Sequence, residues 1–170
     1  MPTLAPQRRI SSAPADDAAT FFDRRAWRLY LDNCSFNRPY DDQTLLRNHL
    51  EAEAKMHIQA EILRDHFELA WSYMMDYEVS LNPYPEKRRQ ILKWKNIAMV
   101  FVAETEGVLA MAKKIAGQKI KQQDALHLAC AMEARCDYFI TTDDGILNKR
   151  VDEIAIVDPL DFVKIMEAGR

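Results

Sequence analysis

Short, mostly apolar runs alternate along the chain with longer stretches whose apolar residues recur every three to four positions. The apolar runs at 28–31, 67–71, 99–102, 138–140 and 154–157 predict strands. Strands that are apolar on both sides, and that alternate with helices, are typical of a parallel sheet covered on both faces. The pattern therefore predicts an α/β fold.

The longest helical stretch runs from residue 42 to about residue 66. Its recurring positions are Leu45, Leu46, His49, Leu50, Ala54, Ile58 and Ile62. This spacing is the period of an amphipathic helix. The preceding segment, 33–42, is polar and contains Pro39, which favours a loop.

Two residues mark the starts of further helices. Ser72 is placed to cap a helix that ends at about residue 81, because its hydroxyl can accept a hydrogen bond from a first-turn N–H. Pro85 suits the first turn of a helix that reaches about residue 97. The remaining predicted helices are 104–116, 122–134 and a closing helix from Pro159 to about 166.

Length and composition fit one ordinary domain. The chain has 170 residues, of which 48% are hydrophobic and 29% are charged, and these values are those of a globular protein. Residues 1–26 carry three prolines and no apolar period. They are predicted to form a flexible N-terminal extension that folding does not require. The domain is expected to span 27–168.

The position of the acidic residues suggests chemistry. Asp32 ends the first predicted strand, Asp143 and Asp144 follow the fourth, and Asp124 lies in the first turn of a helix. Glu78 lies in the second turn of the helix after the second strand. Functional groups of parallel α/β sheets collect at the carboxyl ends of the strands. We therefore expect these acids to converge at one edge of the sheet.

Carboxylates that converge repel one another unless a cation neutralises them. Mg²⁺ and Mn²⁺ prefer carboxylate and water oxygens, and they leave coordination positions open for substrate phosphate. Taken singly, each acid is more simply interpreted as a loop residue, a helix N-terminal acid or a solvated surface residue. Their joint placement instead favours a metal site with a nuclease function.

Net charge limits how this chain can hold nucleic acid. A charge of −3 argues against binding by bulk electrostatics, so a phosphate backbone needs local basic residues. The candidates are Lys87, Arg88, Arg89, Lys93, Lys95, Lys113, Lys114, Lys119 and Lys121. Each of them, taken alone, is better explained as part of a solvated helix face.

Cysteine content and hydropathy indicate the compartment. Cys34, Cys130 and Cys136 have no metal-binding spacing and are predicted to be reduced thiols. No apolar run is long enough to span a bilayer, and residues 1–20 lack the hydrophobic segment of a signal peptide. The sequence therefore predicts a cytoplasmic protein that does not contact a membrane.

Four pieces of the sequence, in this order, resemble the motifs of the PIN-domain family, including its VapC-like toxins. They are YLDNC around Asp32, Ser72 followed six positions later by Glu78, DALHLA beginning at Asp124, and ITTD ending at Asp143. The resemblance extends over about 28–163. Many PIN domains read Asp-Thr-Asn after the first strand where this chain has Asp-Asn-Cys, so no role is assigned to Cys34.

The resemblance implies a three-layer fold with a five-stranded parallel sheet flanked by helices. It also implies a pocket that binds Mg²⁺ or Mn²⁺ and a single-strand-specific endoribonuclease activity. Asp32, Glu78, Asp124 and Asp143 match the four metal-binding and catalytic acids, and Asp144 is expected to contribute to the metal site through a water. The expected partners are an RNA substrate, an antitoxin protein whose basic side chain enters the acidic cluster, and a second copy in a homodimer.

Other interpretations remain open. A PIN-like module that has lost turnover would serve as an RNA-binding or protein-docking domain, although such a surface has no need of mutually repelling acids. A phosphoryl-accepting regulator would place its acidic pair early, whereas here the pair is late. His127 lies one turn after Asp124 and could donate a hydrogen bond to it, but a packed core histidine is the favoured interpretation.

Overall fold

The computed structural model of the chain describes residues 25–169. The strands are β1 (Trp27–Leu31), β2 (Phe67–Ser72), β3 (Val100–Val102), β4 (Tyr138–Ile140) and β5 (Ala155–Val157). The α-helices are α1 (Asn33–Asn37), α2 (Leu46–Leu63), α3 (Tyr73–Leu81), α4 (Pro85–Leu92), α5 (Glu106–Ala116), α6 (Gln122–Glu133), α7 (Asp144–Leu147) and α8 (Pro159–Ala168). Short 3₁₀ helices occupy Arg38–Tyr40 and Lys93–Asn96. Most of the predicted extension, 1–26, lies outside the described residues.

The five strands form one parallel sheet in the order β3-β2-β1-β4-β5, so the predicted α/β fold class is confirmed. The chain builds outward from β1 to β3 and then returns to the other side of β1 with β4. The strand order therefore reverses between β1 and β4. In open α/β sheets this reversal opens a crevice beyond the carboxyl ends of the two strands, where ligands bind.

Aromatic contacts show which helices cover each face of the sheet. On one face, Trp27 and Tyr138 contact Phe162 of α8 at ring distances of 6.2 and 5.1 Å. On the other face, Tyr30 stacks on Phe139 at 5.3 Å and meets His127 of α6. Successive strand residues point to opposite faces, so this division follows from strand geometry. Helix, sheet and helix thus form three layers.

The segment predicted as a loop, 33–42, is mostly helical, and that prediction was wrong. Asp32 caps α1 by accepting a hydrogen bond from the backbone N–H of Asn33. The Asn37 amide donates to the backbone oxygen of Asn33 at 2.9 Å and to its side-chain oxygen at 3.0 Å. These local hydrogen bonds support a short helix in a segment without apolar periodicity.

Other helix boundaries differ slightly from the predictions. The α2 helix begins at Leu46 and not at residue 42, because Asp42 accepts hydrogen bonds from Thr44 and closes a turn. The helix that begins at Pro85 ends at Leu92 and continues as a 3₁₀ turn. Ser72 does cap α3, accepting from the N–H of Met75. Within 25–169 no helix is long and apolar enough to cross a membrane.

Candidate metal centre

Asp32 is the most buried of the predicted acids, with only 6% of its surface exposed. It leaves β1 directly at the crevice, and its backbone N–H continues the pairing with β4 by donating to the Ile140 oxygen at 2.9 Å. A buried carboxylate is costly unless hydrogen-bond donors surround it. Its Oδ1 accepts from the Asn33 N–H at 2.7 Å, and its Oδ2 accepts from the Thr141 hydroxyl at 2.9 Å.

Cys34 is a site residue that the sequence did not reveal. Its Sγ lies 3.1 Å from Asp32 Oδ2 and 3.1 Å from the Thr141 Oγ1, and it accepts a hydrogen bond from the Thr142 N–H. Burial and the neighbouring Asp32 charge raise the pKa of the Cys34 thiol. The sulfur therefore keeps its proton and can donate it to Asp32. None of the three cysteines forms a disulfide.

Thr141 connects Asp32 to the second strand-end acid, Asp143. Besides donating to Asp32, its hydroxyl oxygen accepts from the Asp143 N–H at 3.1 Å. Asp143 caps α7 by accepting from the Gly145 N–H at 2.7 Å, and it does so through Oδ1 alone. One buried hydroxyl thus contacts both the carboxylate of Asp32 and the backbone of Asp143. Oδ2 of Asp143 has no partner among the hydrogen bonds of the described residues.

Glu78 enters the crevice from α3 and is held by three polar side chains. Its Oε2 lies 3.2 Å from His127 Nε2, its Oε1 accepts from the Gln123 amide, and the Asn33 side chain is a further polar neighbour. Burial alone raises the pKa of Glu78. The close contact with His127 and its charge, together with Gln123 and Asn33, outweigh burial and lower that pKa. Glu78 is therefore ionised at neutral pH.

His127 is buried, as expected of a core histidine, but its acidic neighbour is Glu78 and not the Asp124 that the sequence suggested. Its Nδ1 lies 2.7 Å from the Tyr30 hydroxyl, which lies 2.6 Å from Ser72 Oγ. If Tyr30 donates to Nδ1, the remaining proton sits on Nε2 and faces Glu78. At 3.2 Å, and without hydrogen-bond alignment, that contact is a close polar contact, which becomes an ion pair when both ring nitrogens carry protons.

Asp124 lies in the first turn of α6 and is partly buried. Burial raises its pKa, and the negative charges of Asp143 and Asp32 raise it further. Burial lowers the pKa of His127, but the contact with Glu78 and the negative charges of Asp32, Glu78 and Asp124 outweigh burial and raise that pKa. These mutual effects show that Asp32, Asp124, Asp143 and Glu78 share one electrostatic neighbourhood.

The donor atoms of Asp32, Glu78 and His127 all lie within 4.8 Å of one another, the one such trio among the described residues. Burial, and then the charges of Asp143 and Asp32, raise the pKa of Asp124, and Lys121 and His127 offset those charges only in part. Carboxylate oxygens with such an excess of charge fit a hard divalent cation. This chemistry is compatible with Mg²⁺ or Mn²⁺.

Asp144 differs from the other predicted ligands. Both of its carboxylate oxygens accept from the Arg47 guanidinium, at 2.7 and 2.8 Å, and this pairing lowers the pKa of Asp144. Its side chain is exposed and is turned to α2. The described geometry thus gives Asp144 a structural partner and does not bring it into the acidic cluster.

Comparison with known proteins supports the fold. No family model matches the chain, and no curated protein matches it. Among solved structures, the chain is similar to one chain of VapBC2 from Rickettsia felis, which was crystallised bound to a DNA fragment from its promoter. The two chains share 14% identity with a TM-score of 0.50, over 77% of this chain and 98% of the other. This likeness agrees with the expected three-layer, PIN-like arrangement.

His127 is predicted to position Glu78 for a cation. The substitution His127→Leu removes the contact. Loss of a side chain that orients a metal ligand lowers metal affinity by about 10- to 100-fold. Tyr30→Phe is the matched control, because it removes the hydrogen bond to Nδ1 without touching Glu78. Each change should lower the free energy of unfolding by about 1–3 kcal/mol, since a buried polar partner is lost.

Urea unfolding measures the loss of folding stability. The loss of metal affinity is measured separately, as the Mn²⁺ concentration needed for half-maximal thermal stabilisation. His127→Leu should shift that Mn²⁺ concentration upward about tenfold, while Tyr30→Phe, which leaves the His127 ring against Glu78, should shift it less. An unaltered Mn²⁺ response in His127→Leu would show that His127 is only a packing residue.

Proposed function

We propose that this chain is a metal-dependent endoribonuclease that hydrolyses phosphodiester bonds of single-stranded RNA. The observation that carries the proposal is the cluster at the β1–β4 reversal, where Asp32, Glu78 and His127 offer donor atoms within 4.8 Å of one another. Burial and the charges of Asp143 and Asp32 also raise the pKa of Asp124. A cluster of this kind is unfavourable for a docking surface but suits a cation. The similarity in fold to a VapBC2 chain supports the same function.

In this proposal Asp32, Glu78, Asp124 and Asp143 hold Mg²⁺ or Mn²⁺. The bound ion would activate water and offset charge on the phosphate oxygens. The chain supplies orientation: Thr141 and Cys34 direct Asp32, and His127 and Gln123 direct Glu78. Side chains fixed in this way lose little conformational freedom when the cation binds, which favours tight and specific coordination.

Substitution of single acids tests the proposal. Cleavage of a single-stranded RNA panel should fall by more than about 100-fold in Asp32→Asn, Asp124→Asn or Asp143→Asn. This loss exceeds the one expected from mutating a residue that only orients a metal ligand. Glu78→Gln should behave similarly. Asp152→Asn is the control. Asp152 is an exposed acid that precedes β5, so it lies toward the amino ends of the strands and away from the acidic cluster. EDTA should stop the reaction of the wild type.

Stability supplies an independent measurement. Asp124→Asn should melt at the same temperature as the wild type or higher without metal, because it relieves repulsion from Asp32 and Asp143. Added Mn²⁺ should raise the melting temperature of the wild type by linkage, and raise that of the variant less. Wild-type cleavage and wild-type Mn²⁺ stabilisation in Asp124→Asn would instead favour a catalytically weak RNA-binding or docking module.

We also propose that the chain is the toxin of a toxin–antitoxin pair and that its partner inserts a basic side chain among the acids. The VapBC2 likeness supports this, as does the chemistry, because an arginine can satisfy the same clustered carboxylates. Purification from the native host should recover a small second protein, and that protein should suppress Mn²⁺-dependent cleavage. Recovery of a homodimer alone, fully active, would contradict the partner.

A further inference from the structure

A groove of about 440 Å³ leads away from Glu78. One wall is α1 with Asn33 and Asn37, and the other is the connection from α3 to α4 with Asn82 and Tyr84, followed by Lys87 at the start of α4. The volume falls within the range of about 300–1,000 Å³ that ligand sites occupy. Because Glu78 forms part of the lining, an extended ligand in the groove reaches the acidic cluster directly.

Lys87 differs from the other basic residues around it. Four neighbours in the stretch 87–95 already bind a partner within the chain. Arg88 donates to the Asn82 backbone oxygen, Arg89 pairs with Glu86, Lys93 donates to Gln90 and Lys95 pairs with Asp76. Among the described residues, no acid forms an ion pair with Lys87. Its charge is therefore available to a phosphate in the groove.

Two aromatic rings hold Lys87 in place. Its Nζ lies 4.3 Å from the centre of the Tyr84 ring and 5.2 Å from that of Tyr40. Such cation–π contacts restrict a flexible lysine and leave its N–H groups free to donate. Tyr84 itself stands between Pro83 and Pro85, whose rings limit the backbone, and 58% of its surface is exposed. An aromatic ring fixed and exposed in this way can stack on a base.

A ladder of amides fixes the width of the groove. The Asn82 amide donates to Asn37 at 3.1 Å, joining the two walls, and Asn37 donates to Asn33. Asn82 Oδ1 also accepts from the Tyr84 N–H at 3.0 Å, which sets the position of the ring. The groove is therefore built before any ligand arrives, and little conformational entropy is lost on binding.

We propose that this groove is the subsite for single-stranded RNA, with one base stacked on Tyr84 and Lys87 contacting the adjoining phosphate. The inference rests on the proposed function and names where its substrate lies. Stacking on an exposed ring requires an unpaired base, so the groove selects single strands over duplexes. Binding near Glu78 then brings a neighbouring phosphodiester to the acids.

Fluorescence anisotropy on the full chain carrying Asp124→Asn measures RNA binding without cleavage. The probes are an unstructured 12-nucleotide RNA and a 12-base-pair RNA duplex, both labelled with fluorescein. Tyr84→Ala and Lys87→Ala should each weaken single-strand binding about tenfold, whereas Tyr84→Phe, which keeps the ring, should bind within twofold of the parent. Lys87→Ala should also make the slope of log binding constant against log salt concentration less steep by about 0.7, the value expected for one lost phosphate contact on a single strand.

Lys93→Ala is the matched control, since Lys93 belongs to the same basic stretch but is exposed and bound to Gln90. It should bind within twofold of the parent, and duplex binding should not change in any variant. Equal losses from Lys93→Ala and Lys87→Ala, or none from Tyr84→Ala, would overturn the subsite while wild-type cleavage still upheld the nuclease. Absence of both cleavage by the wild type and RNA binding by the parent would overturn both.

Discussion

The parallel pairing of β1 with β4 is the constraint on which the candidate centre depends. In the register that places Leu31 beside Ile140, Asp32 continues the ladder by donating to the Ile140 oxygen. The next residues of each strand therefore leave the sheet side by side. Thr141 then joins them, because its hydroxyl contacts Asp32 and accepts from the Asp143 N–H. A shift of one residue in this register would turn the side chains of one strand to the opposite face of the sheet and separate the two acids.

The helices add acids from the other side of the same crevice. The α6 helix brings Asp124 and His127 on adjacent turns, and α3 brings Glu78 against His127. Tyr30 extends this contact into the core, from His127 to Ser72, the residue that caps α3. One buried chain of polar groups thus links the start of α3 to the acid that α3 carries. The contacts that pack α3 and α6 against the sheet therefore also position Glu78 in the site.

Much of this arrangement could be predicted from the sequence. Apolar runs located the strands, and the rule that functional groups collect at the carboxyl ends of parallel strands indicated Asp32 and Asp143. Capping chemistry likewise indicated Ser72. These features are local or follow from strand direction, so a single sequence contains them.

Tertiary contacts could not be predicted in the same way. The helix spacing suggested Asp124 as the partner of His127, but α3 crosses α6 so that Glu78 lies against the imidazole. Cys34 occupies a motif position where its residue type gave no indication of a role, and its contact with Asp32 depends on β4 supplying Thr141 and Thr142. Asp144 looked like a ligand by adjacency, yet Arg47, nearly a hundred residues earlier, binds it.

Anomalous diffraction from crystals of the full chain soaked in Mn²⁺ tests the central claim most directly. The account predicts one strong manganese peak in the crevice beyond β1 and β4, bound by oxygens of Asp32, Glu78, Asp124 and Asp143 at about 2.0–2.3 Å. The same peak should vanish in Asp124→Asn crystals. A peak on other acids, or none at Mn²⁺ concentrations that saturate activity, would contradict the shared metal site.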